Sequence, residues 1–356
     1  MSTHDIHGGD TYSFRATYGR EPLDFSASLS PLGMPRSVIE AAAAALEKPP
    51  AYPDPHCREL RKGLARHHKI PEEKIVCGAG AAELIWRIVR TAAPGKALLP
   101  EPTFTEYART LTKSGCAICP YPLHAPQFAV PEELLRALTP EIDIAFLCEP
   151  NNPTGKLTNP ALLREILERC AQTGTILVVD ECFMEFVDEP KVHSLLPACA
   201  SNEQLIVLRA FTKSFAMAAL RLGYAVCGDA GLAQKLREGT QPWPVSDVAQ
   251  AAGIAALKEK DHLDRTRECV RTGRRFLERQ LASCGMTVIP SEANYLLFHS
   301  PDPALGEKIM KRGILIRDCA SIPGLSEGWY RVAVKKEEEN RILAEAIRAE
   351  RKDHAH

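Results

Sequence analysis

Two short apolar runs, 142-IDIAFLCEP-150 and 175-TILVVDE-181, flank a segment of helix length, 160-PALLREILERCAQT-173. No other feature restricts the fold so much. Each run is apolar without alternation, so each predicts a strand buried on both faces. Parallel neighbours need a crossover of a dozen or more residues, and 160–173 supplies one. The unit is βαβ, and further apolar runs extend it. KALLP (96–100) and QLIVLRAF (204–211) read as strands, and AAELIWRIVRTA (81–92) has helical spacing of its apolar residues. The fold class expected is α/β with a mostly parallel central sheet.

At 356 residues, two domains are the simplest division. The large one is expected over residues 40–235. Beyond it, 246–283 is long, helical and charged. TVIPSEANYLLFH, GILIRD and WYRVAV then read as strands and 336–350 as a closing helix, so residues 236–356 predict a smaller α+β domain. Residues 1–39 are rich in turn signals (HGGD, SPLG) and predict a loop-rich arm packed on the small domain or on a neighbour.

Charge narrows the function. The 44 Lys and Arg balance 45 Asp and Glu, with no basic block, which argues against nucleic acid as a partner. The polar start MSTHDIHGGD and the absence of a long apolar run predict a cytoplasmic protein without a membrane span. Twelve cysteines are scattered through the chain and suit core filling better than a disulfide framework. The one CxxC, Cys116 to Cys119, has no second pair or nearby histidines to complete a metal site.

Several polar residues stand where open α/β sheets bind ligands, at the carboxyl ends of strands. Asp180 ends ILVVD. Asn152 lies in 149-EPNNPTG-155 after another strand. The stretch 78-GAGAAE-83 opens a helix with residues small enough for backbone N–H groups to approach an anion. Lys213 lies in the apolar segment 209-RAFTKSFAMAALRLGY-224, with Arg221 eight positions on. Taken singly, Lys213 reads equally as a surface lysine, Asp180 as a helix cap, and Phe104 as core.

In this order the elements are specific, and the chain resembles the fold-type I enzymes that use pyridoxal 5'-phosphate. The resemblance spans nearly the whole chain. It implies that Lys213 forms the Schiff base with the cofactor, as a neutral amine made available by desolvation and a nearby cation. It implies that Arg221, with the backbone of Gly80, Ala81 and Ala82, binds the cofactor phosphate, and that Asp180 keeps the ring nitrogen protonated so that the ring can accept an electron pair. Asn152 would bond the ring oxygen, and Phe104 would stack on the ring. Tyr52 would reach the phosphate of a neighbouring subunit, implying a homodimer with shared sites. Phe183 and Ala210 depart from the family pattern, where a tyrosine and a serine or threonine are usual. Each removes a polar donor, and Thr212 is the candidate to compensate at the phosphate.

The N-terminal arm, with 7-HGGD-10 and 24-DFSASLSPLGMP-35, is similar to that of the threonine-phosphate decarboxylase branch. That likeness implies decarboxylation of a small O-phosphorylated amino acid for cobalamin assembly. It places His7, Gly8, Ser30, Asn152, Arg317 and Arg331 around the substrate's anionic groups, the arginines as bidentate donors. Asp10, Ser28 and Ser30 replace asparagines usual in the arm, which leaves phosphoserine open as the substrate. The alternative is an aminotransferase of the histidinol-phosphate type. A regulatory protein of the same lineage would carry an added DNA-binding segment, and none is expected here.

Overall fold

The computed structural model describes residues 8–48 and 51–352. Its strands, in chain order, are β1 (Leu23–Asp24), β2 (Ile75–Gly78), β3 (Lys96–Glu101), β4 (Ala117–Pro122), β5 (Ile144–Cys148), β6 (Ile176–Asp180), β7 (Leu205–Ala210) and β8 (Gly223–Cys227), then β9 (Thr287–Ile289), β10 (Tyr295–His299), β11 (Ile314–Leu315), β12 (Arg317–Asp318) and β13 (Trp329–Ala333). The central sheet has the order β2-β8-β7-β6-β5-β3-β4. Every pairing in it is parallel except those of β8, which runs antiparallel to β2 and β7.

The continuous apolar runs are explained by cover on both faces. Ala145 and Leu147, Leu177 and Val179, and Leu205 and Val207 point into one core layer. Ile144 and Phe146, Val178, and Ile206 and Leu208 point into the other. Alternate residues take opposite faces of a strand, so a strand packed on both sides must be apolar at every position. Each of the Val, Leu, Ile and Phe side chains contributes about 1.5–3 kcal/mol through burial.

The crossover helix Pro160–Thr173 matches its expected bounds. Asn159 caps it by accepting from the Ala161 N–H at 2.8 Å, and Gly174 ends it at a φ of 75°. The helix Ala81–Ala92 begins at Gly80 and buries Leu84, Ile85, Ile88 and Val89 against the sheet. A second sheet, β12-β13-β10-β9, is antiparallel.

Three local expectations change. The segment 246–283 is two helices, Asp247–Ala256 and His262–Ser283. The first lies beyond the expected boundary at 235, yet Ala249, Ala252 and Ala256 belong to the core of the large sheet. The arm is not all loop: Thr11–Tyr18 is a helix. Asp10 caps it, its Oδ1 accepting from the Ser13 N–H at 3.0 Å. The arm then joins the C-terminal region through β1, which pairs in parallel with β11. All twelve cysteines are free thiols, and no metal-binding cluster occurs among the described residues. No helix of the described residues is long and apolar enough to cross a membrane.

Behind β6 and β7 lies a buried ionic cluster. Arg209 donates through Nη2 to Glu181 Oε2 at 2.6 Å and through Nη1 to Glu185 Oε1 at 2.5 Å, and the Glu181 side chain is 0% exposed. Arg209 and Glu181 are neighbours in sequence of the strand ends at Ala210 and Asp180. Replacing Glu181 with alanine leaves Arg209 short of charge compensation in the core. The substitution is expected to lower the unfolding free energy by about 3–5 kcal/mol in urea titrations, and an unchanged midpoint and slope would contradict this role.

Candidate active site

A cavity of about 290 Å³ opens at the carboxyl ends of β5, β6 and β7. This is near the lower end of the roughly 300–1,000 Å³ usual for small-molecule sites. Ala81, Ala82, Phe104, Asn152, Asp180, Thr212, Lys213 and Arg221 line it from the large sheet and its connections. Arg317 and Arg331 enter from the antiparallel sheet, and Gly8 from the arm. These residues are far apart in sequence, and the parallel strands bring them to one edge.

Other residues singled out in the sequence lie elsewhere. Gly80 stands behind the wall, at a φ of 88°, and a Cβ there would lie 2.7 Å from Arg221 Nη2. Only glycine lets the guanidinium lie against the helix start. Ser30 does not line the cavity. Its Oγ sits 3.3 Å from Thr266 Oγ1, and its N–H donates to the Lys213 carbonyl at 2.9 Å. Ser30 therefore supports the lysine segment from behind, a correction to its expected place at the substrate. Tyr52 is 78% exposed and stacks on Trp243 at 4.2 Å between ring centroids, outside its own chain's cavity. His7 lies outside the described residues.

Asp180 is held at both carboxylate oxygens. Oδ1 accepts from the Cys182 N–H at 3.0 Å, and Oδ2 accepts from the Tyr107 hydroxyl at 2.7 Å. Tyr107 is fully buried, and burial beside Asp180 pushes its phenol well above the usual value, so it acts as a neutral donor. The sequence reading stopped at Phe104 in PTFTEY and missed Tyr107. The i, i+3 spacing at a helix start was the available signal.

Lys213 follows β7 on the short helix Phe211–Ser214. It is half-buried by area, with its ammonium enclosed by the cavity walls and 5.5 Å from the Phe183 ring centroid. Burial, with Arg331 next in effect, lowers its pKa to about 8; Arg221 acts the same way more weakly, and Cys182 and Asp180 oppose them. The expected cation was Arg221. Arg331 has the larger effect, because a guanidinium from the second sheet reaches across the cavity mouth.

Arg331 is fixed by three elements. Nη1 donates to Asn152 Oδ1, Nη2 donates to the Ser26 carbonyl at 3.0 Å, and the group lies 5.2 Å from the Tyr295 ring centroid. Arg317 and Arg331 are directly opposed across β12 and β13. Opposed residues project from the same face, so the two guanidiniums enter the cavity together. Ser26, Ala27 and Ser28 complete this wall, and the Ser28 hydroxyl is buried with no hydrogen-bond partner among the described residues. Phe183 and Ala210 also line the cavity and contribute no polar side-chain atom.

These groups fit a phosphorylated pyridine aldehyde. A helix N-terminus with Arg221 and Thr212 suits a phosphate, and a carboxylate held from behind suits a ring nitrogen. A lysine with a lowered pKa suits an aldehyde, and Phe104 offers an aromatic face.

Comparison with known proteins agrees. The family model described as aminotransferase class I and II matches residues 20–347. A threonine-phosphate decarboxylase of Salmonella typhimurium is 38% identical over 352 residues, covering 97% of this chain and 96% of the relative. A histidinol-phosphate aminotransferase of Symbiobacterium thermophilum is 34% identical over 325 residues, covering 90% and 88%. The crystal structure of the histidinol-phosphate aminotransferase from Sinorhizobium meliloti in complex with pyridoxal-5'-phosphate has the same fold, with a TM-score of 0.88, 23% identity and coverage of 97% and 95%. The chain belongs to the class I and II aminotransferase family of fold-type I enzymes, and its cofactor is pyridoxal 5'-phosphate.

Proposed function

We propose that the protein decarboxylates a small O-phosphorylated amino acid, O-phospho-L-threonine or its close analogue O-phospho-L-serine. The product is an amino-alcohol phosphate of the kind used in cobalamin assembly. One observation carries this reading: Arg317 and Arg331 enter the cavity side by side, in addition to Arg221 at the helix start. A substrate with both a carboxylate and a phosphate needs two cationic partners beyond the one that serves the cofactor. The similarity to a threonine-phosphate decarboxylase supports it.

When bound, the cofactor supplies an electron sink for the pair left on Cα. The protein chooses which bond breaks by choosing the pose, because only a bond perpendicular to the ring is activated. In this reading Arg317 and the Ser28 hydroxyl grip the phosphate, and Arg331 takes the carboxylate with its bond to Cα turned out of the ring plane. Gly8 brings the arm to the same wall. Asp180 pairs with the ring nitrogen, Asn152 with the ring oxygen, and Phe104 covers one face. The backbone at Gly80, Ala81 and Ala82 joins Thr212 and Arg221 at the cofactor phosphate. Lys213 holds the cofactor and is the group able to return a proton to Cα near neutral pH. Residues 1–39 serve as the arm. Tyr52, exposed in one chain, completes the phosphate site of a second copy, so the active unit is a homodimer.

A second reading has its own observation. Arg331 bonds Asn152 Oδ1 directly, which sets one guanidinium close to the ring oxygen's expected partner. A carboxylate held there lies near the ring plane and exposes Cα–H, as an aminotransferase of the histidinol-phosphate type requires. The two readings separate when O-phospho-L-threonine is added to cofactor-loaded protein and CO2 is measured together with the cofactor's visible spectrum. The proposal expects stoichiometric, repeated CO2 release with the starting spectrum regained. No CO2 from either phosphoamino acid, with conversion of the cofactor to its amine form, would overturn it.

The lysine makes a separate prediction. With a pKa of about 8, roughly half of the Lys213 amine is neutral at pH 8, against well under 1% for an ordinary lysine. The rate of cofactor capture by the apoprotein should therefore rise with pH to a plateau, with a midpoint near 8. Arg331→Gln removes a cation and should move the midpoint upward by about half a unit to one unit. Lys213→Ala should abolish the covalent absorbance. A wild-type midpoint above 10 would contradict the assignment.

A further inference from the structure

We infer that Tyr107 is a positioning residue for the reaction: its hydroxyl, donated to the oxygen of Asp180 remote from the Cys182 N–H, aims that carboxylate at the cofactor ring nitrogen and stabilises it as an anion. The inference rests on the reading that Asp180 faces that nitrogen.

The geometry is direct. The hydroxyl lies 2.7 Å from Asp180 Oδ2, and the backbone N–H of Cys182 takes Oδ1 at 3.0 Å. A carboxylate tied at both oxygens cannot rotate about its terminal bond, yet each oxygen keeps lone pairs for a further donor. Tyr107 is itself clamped. It stacks on Phe146 at 4.9 Å and 19°, and meets Phe104 edge-on at 5.5 Å. Phe104 caps the start of the helix Thr105–Lys113, and Tyr107 lies in its first turn. One helix start therefore places both the aromatic face in the cavity and the donor behind the carboxylate.

The ionisable groups around this pair are Cys148 at the end of β5, Cys182, Tyr295 on β10, and Lys213 across the cavity. The thiols and the phenol are pushed upward by burial, so they stay neutral around Asp180. A hydrogen bond to a carboxylate favours its charged form, and a charged Asp180 keeps the shared proton on the ring. With the cofactor bound, a ring proton held less firmly would weaken the pull on electrons, and the nitrogen of Lys213 would keep its proton to higher pH.

The test is the pH titration of the visible band of cofactor-loaded protein. Tyr107→Phe keeps the ring and removes the donor. It is expected to raise the midpoint by about one unit and to speed cofactor loss on dialysis. In case the phenylalanine variant does not fold, 2,3-difluorotyrosine placed at 107 keeps the hydroxyl and makes it a stronger donor, so the midpoint should fall. Asp180→Asn is the control and should move the midpoint upward by more than Tyr107→Phe. A midpoint that moves in Asp180→Asn but in neither tyrosine variant overturns the role of Tyr107. A midpoint that does not move in Asp180→Asn overturns the underlying reading of Asp180.

Discussion

A lysine ammonium enclosed beside two guanidiniums, Arg331 and Arg221, is costly to keep charged, and much of the site follows from that cost. Coulomb repulsion and desolvation act in the same direction on Lys213. The protein accepts this because the guanidiniums are themselves held. Arg331 is tied to Asn152, the Ser26 carbonyl and the Tyr295 face, and Arg221 lies on the helix start that Gly80 leaves open. The result is a concentration of positive charge with one reactive amine inside it, suited to ligands bearing phosphate and carboxylate.

The sheet makes this arrangement possible. β5, β6 and β7 deliver Asn152, Asp180 and Lys213 to one edge because they run in parallel and are pinned on both faces by apolar layers. The Arg209–Glu181 pair ties the same strands together directly beneath the site. The antiparallel sheet contributes opposite Arg317 and Arg331, and the arm contributes the Ser26 carbonyl. The cavity wall is therefore complete only when all three regions dock, which makes substrate specificity sensitive to the placement of the arm.

Much of this was legible in the sequence because it rests on local rules. Unbroken apolar runs predicted doubly covered strands, and the segment 160–173 between two of them is the crossover helix where it was expected. Residues at strand ends, in family order, converge on one cavity. The misses came where local rules are silent. The sequence TYSFRATY is rich in aromatic and β-branched residues and has modest helix propensity, yet Asp10 and Gly19 cap it into a helix. Ser30 was expected at the substrate because the likeness of the arm puts it where relatives have asparagine, but its hydroxyl faces Thr266. Tyr107 was passed over because a buried tyrosine reads as core until its hydroxyl is seen to reach a carboxylate. The greater effect of Arg331 on Lys213 depends on how two sheets meet, and no spacing in the chain reports that distance.

The central claim is that the two guanidiniums of β12 and β13 set the pose, and through it the bond that breaks. The most direct measurement is a crystal structure of the Lys213→Ala protein with pyridoxal 5'-phosphate and O-phospho-L-threonine bound together. The account predicts the substrate phosphate on Arg317 and Ser28 with the carboxylate directed out of the ring plane. A carboxylate lying in the ring plane on Arg331, with Cα–H perpendicular to it, would contradict the account and make the protein an aminotransferase.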